Sequence, residues 1–234
     1  MMKIVAFGDS TTAPRDLVAT YADQLLDRIG PENVTILNKG VGGNTTQAAM
    51  ARFQCDVADH KPEVVIVQFG INDSSVDVWD DPPKITPRVS LADYEIHIRH
   101  FVVASRALSA EVILMTPNQL RWSPRTLERY GKPPYDHEDR LGFNLLLTEY
   151  CEVVRQVARE EKVLLVDIYA AYHDLQKSAD AFLPDGMHPN TDGHSIVADA
   201  LEPLLRCLLA NRNSIRETLL TPSMFAPPND IHSL

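Results

Sequence analysis

The sequence predicts one three-layer α/β/α domain built on a five-stranded parallel sheet of order 2-1-3-4-5. Two observations lead there. Short apolar runs rich in β-branched residues recur along the chain, and stretches of helical period separate them. Strands that alternate with helices form right-handed crossover units, whose parallel sheet is covered on both faces.

The runs occupy residues 4–7, 34–37, 64–69, 112–115 and 163–166. Continuous Val, Ile and Leu suit strands buried on both sides. The first run stops at Gly8. Before the fourth, Leu91, Tyr94, Ile98, Phe101, Ser105 and Leu108 share one helical face behind Ser90, a residue type that caps helix starts. Leu146, Tyr150, Val153 and Val157 form a second stripe, and Ile196, Ala200 and Leu204 a third. No internal repeat occurs.

Residues 74–89 and 118–140 are too long for plain turns, and connections of that length are usually lids or binding loops. Both follow strands, so both are expected at the C-terminal edge of the sheet, where open α/β folds bind ligands. The second carries a basic and aromatic patch of Arg121, Trp122, Arg125, Arg129, Tyr130 and Tyr135. Its bland alternative is a solvated loop with one packed tryptophan. The single domain is expected to span residues 1–211. Residues 212–234 form a C-terminal extension containing "TPSMFAPPND", too rich in proline for a helix. It reads either as an arm onto a second copy, giving a homo-oligomer, or as a frayed end.

The chain is 44% hydrophobic and 23% charged, which is enough apolar material for a real core. Its net charge of −10 argues against nucleic acid and against anionic membranes, both of which call for a basic surface. Cys55, Cys151 and Cys207 are far apart, and no Cys-x-x-Cys occurs, so neither a disulfide framework nor a zinc knuckle is indicated. The first strand leaves no room for a leader, and no apolar run is long enough for a membrane span. A cytoplasmic location is therefore expected.

Four polar clusters should meet at one edge of the sheet. Ser10 follows strand 1, "NKGVGGNTT" (residues 38–46) follows strand 2, "FGIND" (residues 69–73) follows strand 3, and "LPDGMHPN" (residues 183–190) precedes the last helix. Alone, Ser10 reads as a helix cap. Beside a base it reads as a nucleophile, since a serine hydroxyl attacks only when a neighbour removes its proton. His188 can be that base, and Asp185, three residues earlier, can hold the far ring nitrogen if the stretch makes a tight turn. Pro189 keeps His188 out of helical geometry, and Gly186 lets the chain bend. The developing oxyanion needs donors. The Ser10 N–H at a helix start, a glycine N–H within "GVGGN" and the Asn72 side-chain amide can supply them.

These blocks resemble the SGNH hydrolases, also called the GDSL esterase/lipase family. Its four named positions are matched in order by Gly8-Asp9-Ser10, by Gly43, by Gly70-Ile71-Asn72-Asp73 and by Asp185-Gly186-Met187-His188. Thr11 stands where the family name has leucine, a variable position. The resemblance implies a flavodoxin-like sheet and metal-independent ester hydrolysis without a cofactor. Ser10 would be nucleophile, His188 base and Asp185 its partner, with Ser10, Gly43 and Asn72 lining the oxyanion hole. Gly40 and Gly42 compete for the second block; Gly43 is chosen because the family's donor stands five residues past the Asn closing strand 2, here Asn38. Asp9 is then a structural acceptor, and Asp73 a brace for the Asn72 loop.

Three other classes fit the sequence less well. "GVGGNT" matches a dinucleotide-binding loop only in part, and neither a Walker lysine nor a Gly-x-Ser-x-Gly elbow occurs. A metal site could draw on His97 and His100, or on Asp185, His188, Asp192 and His194, but would leave a serine and an oxyanion hole without a role. A non-catalytic sugar-binding module would be favoured by loss of Ser10, Asp185 or His188, and all three are present. The expected substrate is a small ester with a short acyl group, acetyl first, on a carbohydrate or other polar alcohol. Arg121 and Trp122 are the expected substrate contacts, since an indole stacks on the apolar face of a sugar. A lysophospholipase or thioesterase on the same three residues is the alternative.

Overall fold

A computed structural model describes residues 1–220. Strands β1 (Met2–Gly8), β2 (Val34–Gly40), β3 (Val64–Gln68), β4 (Glu111–Met115) and β5 (Leu164–Val166) form one parallel sheet in the order β2-β1-β3-β4-β5. The predicted topology is the observed one. Around the sheet lie α1 (Tyr21–Ile29), α2 (Thr46–Asp56), α3 (Leu91–Ala107), α4 (Pro124–Tyr130), α5 (Leu145–Glu161), α6 (Ile168–Asp174) and α7 (Thr191–Leu220).

Successive strand residues point to opposite faces, and here both faces are apolar. Ile4, Ala6, Ile66 and Ile113 pack with Leu25 of α1 and Leu201 and Leu205 of α7. Val5, Phe7, Val67 and Leu114 pack on the other side with Phe53 of α2, Phe101 of α3 and Val157 of α5. Phe7 meets Phe69 edge-on, with ring centroids 5.2 Å apart, so one ring already joins the ends of β1 and β3. Thr20 and Asp23 close a capping box at α1, and Ser90 caps α3 as its sequence predicts. Each such cap contributes about 1 kcal/mol.

A third apolar cluster lies over the strand ends and joins the two long connections. Val76 and Val78 come from the first; Leu120, Tyr130 and Tyr135 from the second. The Tyr135 hydroxyl accepts the Val76 N–H at 2.8 Å, and Trp79 meets Tyr130 edge-on. The second connection is also not bare loop. Pro124 begins α4, and Ser123 with Thr126 forms its capping box. Seven residues are too few for a periodic stripe to announce that helix. The final helix runs past residue 212 to Leu220, across the expected domain limit. Residues 221–234, with the proline-rich "TPSMFAPPND" and most of the expected arm, lie outside the described residues. Among the described residues no helix is long and apolar enough to cross a membrane.

Near the start of α7, His194 is fully buried beside Tyr21 and Arg15. Burial, reinforced by the Arg15 charge, pushes its imidazole down to about 4 from an ordinary 6.5. As pH falls through 6.5 the unfolded chain takes up this proton, whereas the folded chain resists until about 4. The associated stability is complete above that window and is lost downward through it. Urea unfolding at about pH 7.5 and about pH 5 should therefore show wild type losing about 2 kcal/mol more than His194→Gln. Equal losses in the two proteins would contradict the assignment.

Candidate active site

The chain leaving β1 does not enter a helix. The Asp9 carboxylate accepts the Thr11 N–H and hydroxyl, both at 2.8 Å, and the Asp9 carbonyl accepts the N–H groups of Thr12 and Ala13. Ser10 rides on this tight turn, and α1 begins only at Tyr21, capped by Thr20. Ser10 therefore caps no helix, contrary to the expected helix start. Asp9 takes the N–H groups that a helix start would have left open.

The turn is fastened to its neighbours. Asn38 donates to the Thr12 carbonyl at 2.7 Å and accepts the Gly40 N–H at 3.0 Å. A Cβ on Gly40 would lie 2.1 Å from the Ala13 nitrogen, so this approach requires glycine. Arg52 of α2 donates to the carbonyls of Gly8 and Lys39, each at 2.8 Å, and to the Asn44 side chain at 2.7 Å. Its guanidinium also lies 4.4 Å from the Phe7 ring centroid. Nothing in the sequence distinguishes Arg52 from a solvated helix arginine. In the fold it clamps β1, β2 and the loop that holds Gly43.

After β3, the Asn72 amide nitrogen donates to Asp9 Oδ2 at 3.3 Å, and its oxygen accepts from Arg88 at 3.4 Å. Next to it, Asp73 accepts the N–H and hydroxyl of Thr46, at 2.7 and 2.5 Å, and so ties the Asn72 loop to the start of α2. Burial raises the carboxyls of both Asp9 and Asp73, the latter to about 7. Among the described residues, neither the Ser10 nor the Gly43 backbone N–H has an acceptor. Both remain available to a ligand.

The fourth block folds as the tight turn that its spacing predicts. Asp185 Oδ1 accepts the backbone N–H groups of Met187 and His188 at 3.0 and 2.8 Å. Asp185 Oδ2 lies 2.7 Å from His188 Nδ1, and His188 Nε2 lies 2.9 Å from Ser10 Oγ. Burial works to raise the Asp185 carboxyl, but bonds from the His188 ring and from these backbone groups hold it well below the usual carboxylate range. It stays ionised, as a partner for a positively charged imidazole must. Asn190 accepts the Gly193 N–H at 2.8 Å and thereby caps α7, so the turn and the helix start form one rigid unit.

Ser10, Gly43, Asn72, Asp185 and His188 border one open cavity of about 240 Å³. Arg121 and Trp122 do not reach it. Arg121 is 3% exposed, with its guanidinium held by Asp180, Gln119 and the carbonyls of Leu120 and Tyr172. Trp122 stacks on Phe143 at 4.7 Å and donates to the Asp139 carbonyl. Packing, not ligand contact, takes up both. Arg88, Arg125 and Arg129 line the cavity instead. Position in the patch could not separate the inward arginines from the buried one, because a helix that the sequence does not announce sets their direction.

The candidate metal ligands do not form one cluster: Asp185 and His188 pair with each other facing Ser10, His97 shares a hydrogen bond with Thr46, and His194 lies between Arg15 and Tyr21. Among the described residues no three His, Cys, Asp or Glu side chains are arranged to hold a metal ion.

Known proteins similar to this chain include esterases and acylhydrolases. The model of the GDSL-like lipase/acylhydrolase family matches residues 6–196, most of the chain. The chain belongs to that family. Within it, the chain is 33% identical over 191 residues to an acetylxylan esterase of Geobacillus stearothermophilus, covering 77% of this chain and 76% of that one. It is 27% identical to an isoamyl acetate-hydrolyzing esterase 1 homolog of Rattus norvegicus, over 87% and 81% of the two chains. The crystal structure of an acetylxylan esterase from Geobacillus stearothermophilus superposes with a TM-score of 0.67 at 29% identity, covering 86% of this chain and 92% of that chain. This GDSL-like protein is a carboxylic ester hydrolase of the SGNH type.

The Asp185–His188 turn also meets the second long connection. The Arg121 N–H donates to the Gly186 carbonyl at 2.7 Å, and the Ser123 hydroxyl to the Asp185 carbonyl at 2.8 Å. Gly186 has φ +82°, and a Cβ there would lie 2.2 Å from the Arg121 carbonyl oxygen. Gly186→Ala should lower stability by about 2 kcal/mol or more and reduce kcat for a simple acetate ester, by forcing the turn away from this contact. Thermal unfolding and steady-state assays would check both effects; an alanine variant matching wild type in both would refute the argument.

Proposed function

We propose that this family member is a serine esterase that removes short acyl groups, acetyl above all, from esters of polar alcohols such as carbohydrates. One observation carries the proposal: His188 lies 2.9 Å from Ser10 Oγ through Nε2 and 2.7 Å from Asp185 Oδ2 through Nδ1. Ser10 Oγ attacks the ester carbonyl while His188 Nε2 takes its proton. Asp185 holds Nδ1–H and stabilises the imidazolium. The carbonyl oxygen becomes an oxyanion, received by the N–H groups of Ser10 and Gly43 and by the Asn72 amide, which Asp9 and Arg88 orient. As that intermediate collapses, His188 returns the proton to the departing alcohol. Water, activated by the same imidazole, then releases the acid from the acyl-enzyme.

Two further points support the acyl size and the roles. Beyond Asn72 the chain packs into the cluster of Ile71, Leu120, Tyr130 and Phe143, and the space remaining there is about 10 Å³. That is hardly one water, so a long acyl chain finds no room on this side of Asn72. In the Geobacillus stearothermophilus acetylxylan esterase, the variants described as catalytic fall at a serine, an aspartate and a histidine, and the histidine stands three positions after the aspartate. Asp185 and His188 keep that spacing.

With chelator present, wild type should hydrolyse acetyl esters with higher kcat/KM than octanoyl esters. Ser10→Ala should lose at least about 10³-fold in kcat, and Asn72→Ala about 10²–10³-fold. Activity that survives the loss of the Ser10 hydroxyl would overturn the mechanism. A preference for octanoyl would overturn the acyl size and favour a lysophospholipase or thioesterase.

A further inference from the structure

Three arginines, Arg88, Arg125 and Arg129, line the cavity that holds Ser10 and His188, in a chain of net charge −10. The one carboxylate on the cavity wall, Asp185, is committed to His188. Arg88 is neutralised by Asp77 at 2.7 Å. Among the described residues, no carboxylate pairs with Arg125 or Arg129. A solvated helix face would explain one free arginine. It does not explain two that stand one turn apart on α4 and both face the same cavity.

Their placement is fixed by the site itself. The start of α4 is anchored to the Asp185–His188 turn through the Ser123 hydroxyl and the Arg121 N–H, so Arg125 and Arg129 keep a set position relative to His188. The Arg129 guanidinium lies 3.8 Å from the centroid of the Trp79 ring, and Trp79 in turn packs against Tyr130 of the same helix. Stacking on an indole holds a guanidinium without discharging it, leaving its donors free for an oxyanion.

We propose that Arg125 and Arg129 form an anion subsite, so that the preferred substrate is a short-chain ester of an alcohol bearing a carboxylate or phosphate group. This rests on the serine esterase reading above. The alcohol part of the substrate is the part addressed, because the short acyl group of that reading carries no charge. Two charge contacts at a partly solvated site should raise specificity by about tenfold, and the gain should shrink with added salt.

The test compares kcat/KM for the acetyl esters of glucuronic acid, glucose 6-phosphate and glucose, with 4-nitrophenyl acetate as the uncharged reference. Wild type should favour at least one acidic ester over the glucose ester by about tenfold, and the better of the two identifies the anion. In Arg125→Gln/Arg129→Gln this ratio should fall to about one, and in Arg125→Lys/Arg129→Lys part of it should persist. Equal ratios in wild type, hydrolysis of neither acidic ester, or a preference untouched by the glutamine changes would each overturn the subsite. Those outcomes leave the esterase reading standing as long as 4-nitrophenyl acetate turnover depends on Ser10. If it does not, the failure lies in the reading beneath.

Discussion

The turn after β1 lies on the strand ends more closely than a side chain would permit, and the site depends on that contact. Gly8 and Gly40 are register partners where β1 and β2 end, and Gly40 presents bare backbone to Ala13. Asn38 then bonds the turn from β2, while Gln68 at the end of β3 accepts from the Thr12 hydroxyl at 3.3 Å. Three parallel strands thus hold one small loop from three sides. A serine on that loop has little freedom, as the proposed nucleophile facing a fixed imidazole requires.

Polar groups inside this edge are costly to bury unless each finds a partner. Asp9 shows how the cost is met: it closes the Ser10 turn with one oxygen and orients Asn72 with the other. Asp73 ties the Asn72 loop to α2 through Oδ1 alone, which takes both the N–H and the hydroxyl of Thr46, while its Oδ2 is buried with no partner among the described residues. Side chains that look redundant beside a serine and an asparagine are thereby what set the position of each. Arg52 extends the arrangement by taking carbonyls at the ends of both β1 and β2.

The long connections provide the cavity wall rather than a separate lid. Their aromatic residues, Tyr130 and Tyr135 among them, pack inward with Val76 and Phe143. The hydrophobic effect consumes the rings, so the charged ends of the neighbouring residues are left to face the cavity.

The sheet and its order were determined by the sequence alone, because β-branched runs alternating with apolar stripes admit few topologies. The four polar blocks were legible for a related reason: in a parallel sheet, chain direction by itself sends every strand end to one edge. The tight turn at Asp185 was legible too, since a glycine and a proline set backbone geometry locally. What lay beyond local signals had to wait for the tertiary structure. Ser10 was read at a helix start, but the Asp9 carboxylate closes a turn there instead. Arg121 and Trp122 look as available as Arg125 and Arg129 in the sequence, yet a short helix and an apolar cluster bury the first guanidinium and expose the others. Residue type states what a side chain can do; which way it faces is decided by packing between segments far apart in the chain, and no local pattern encodes that.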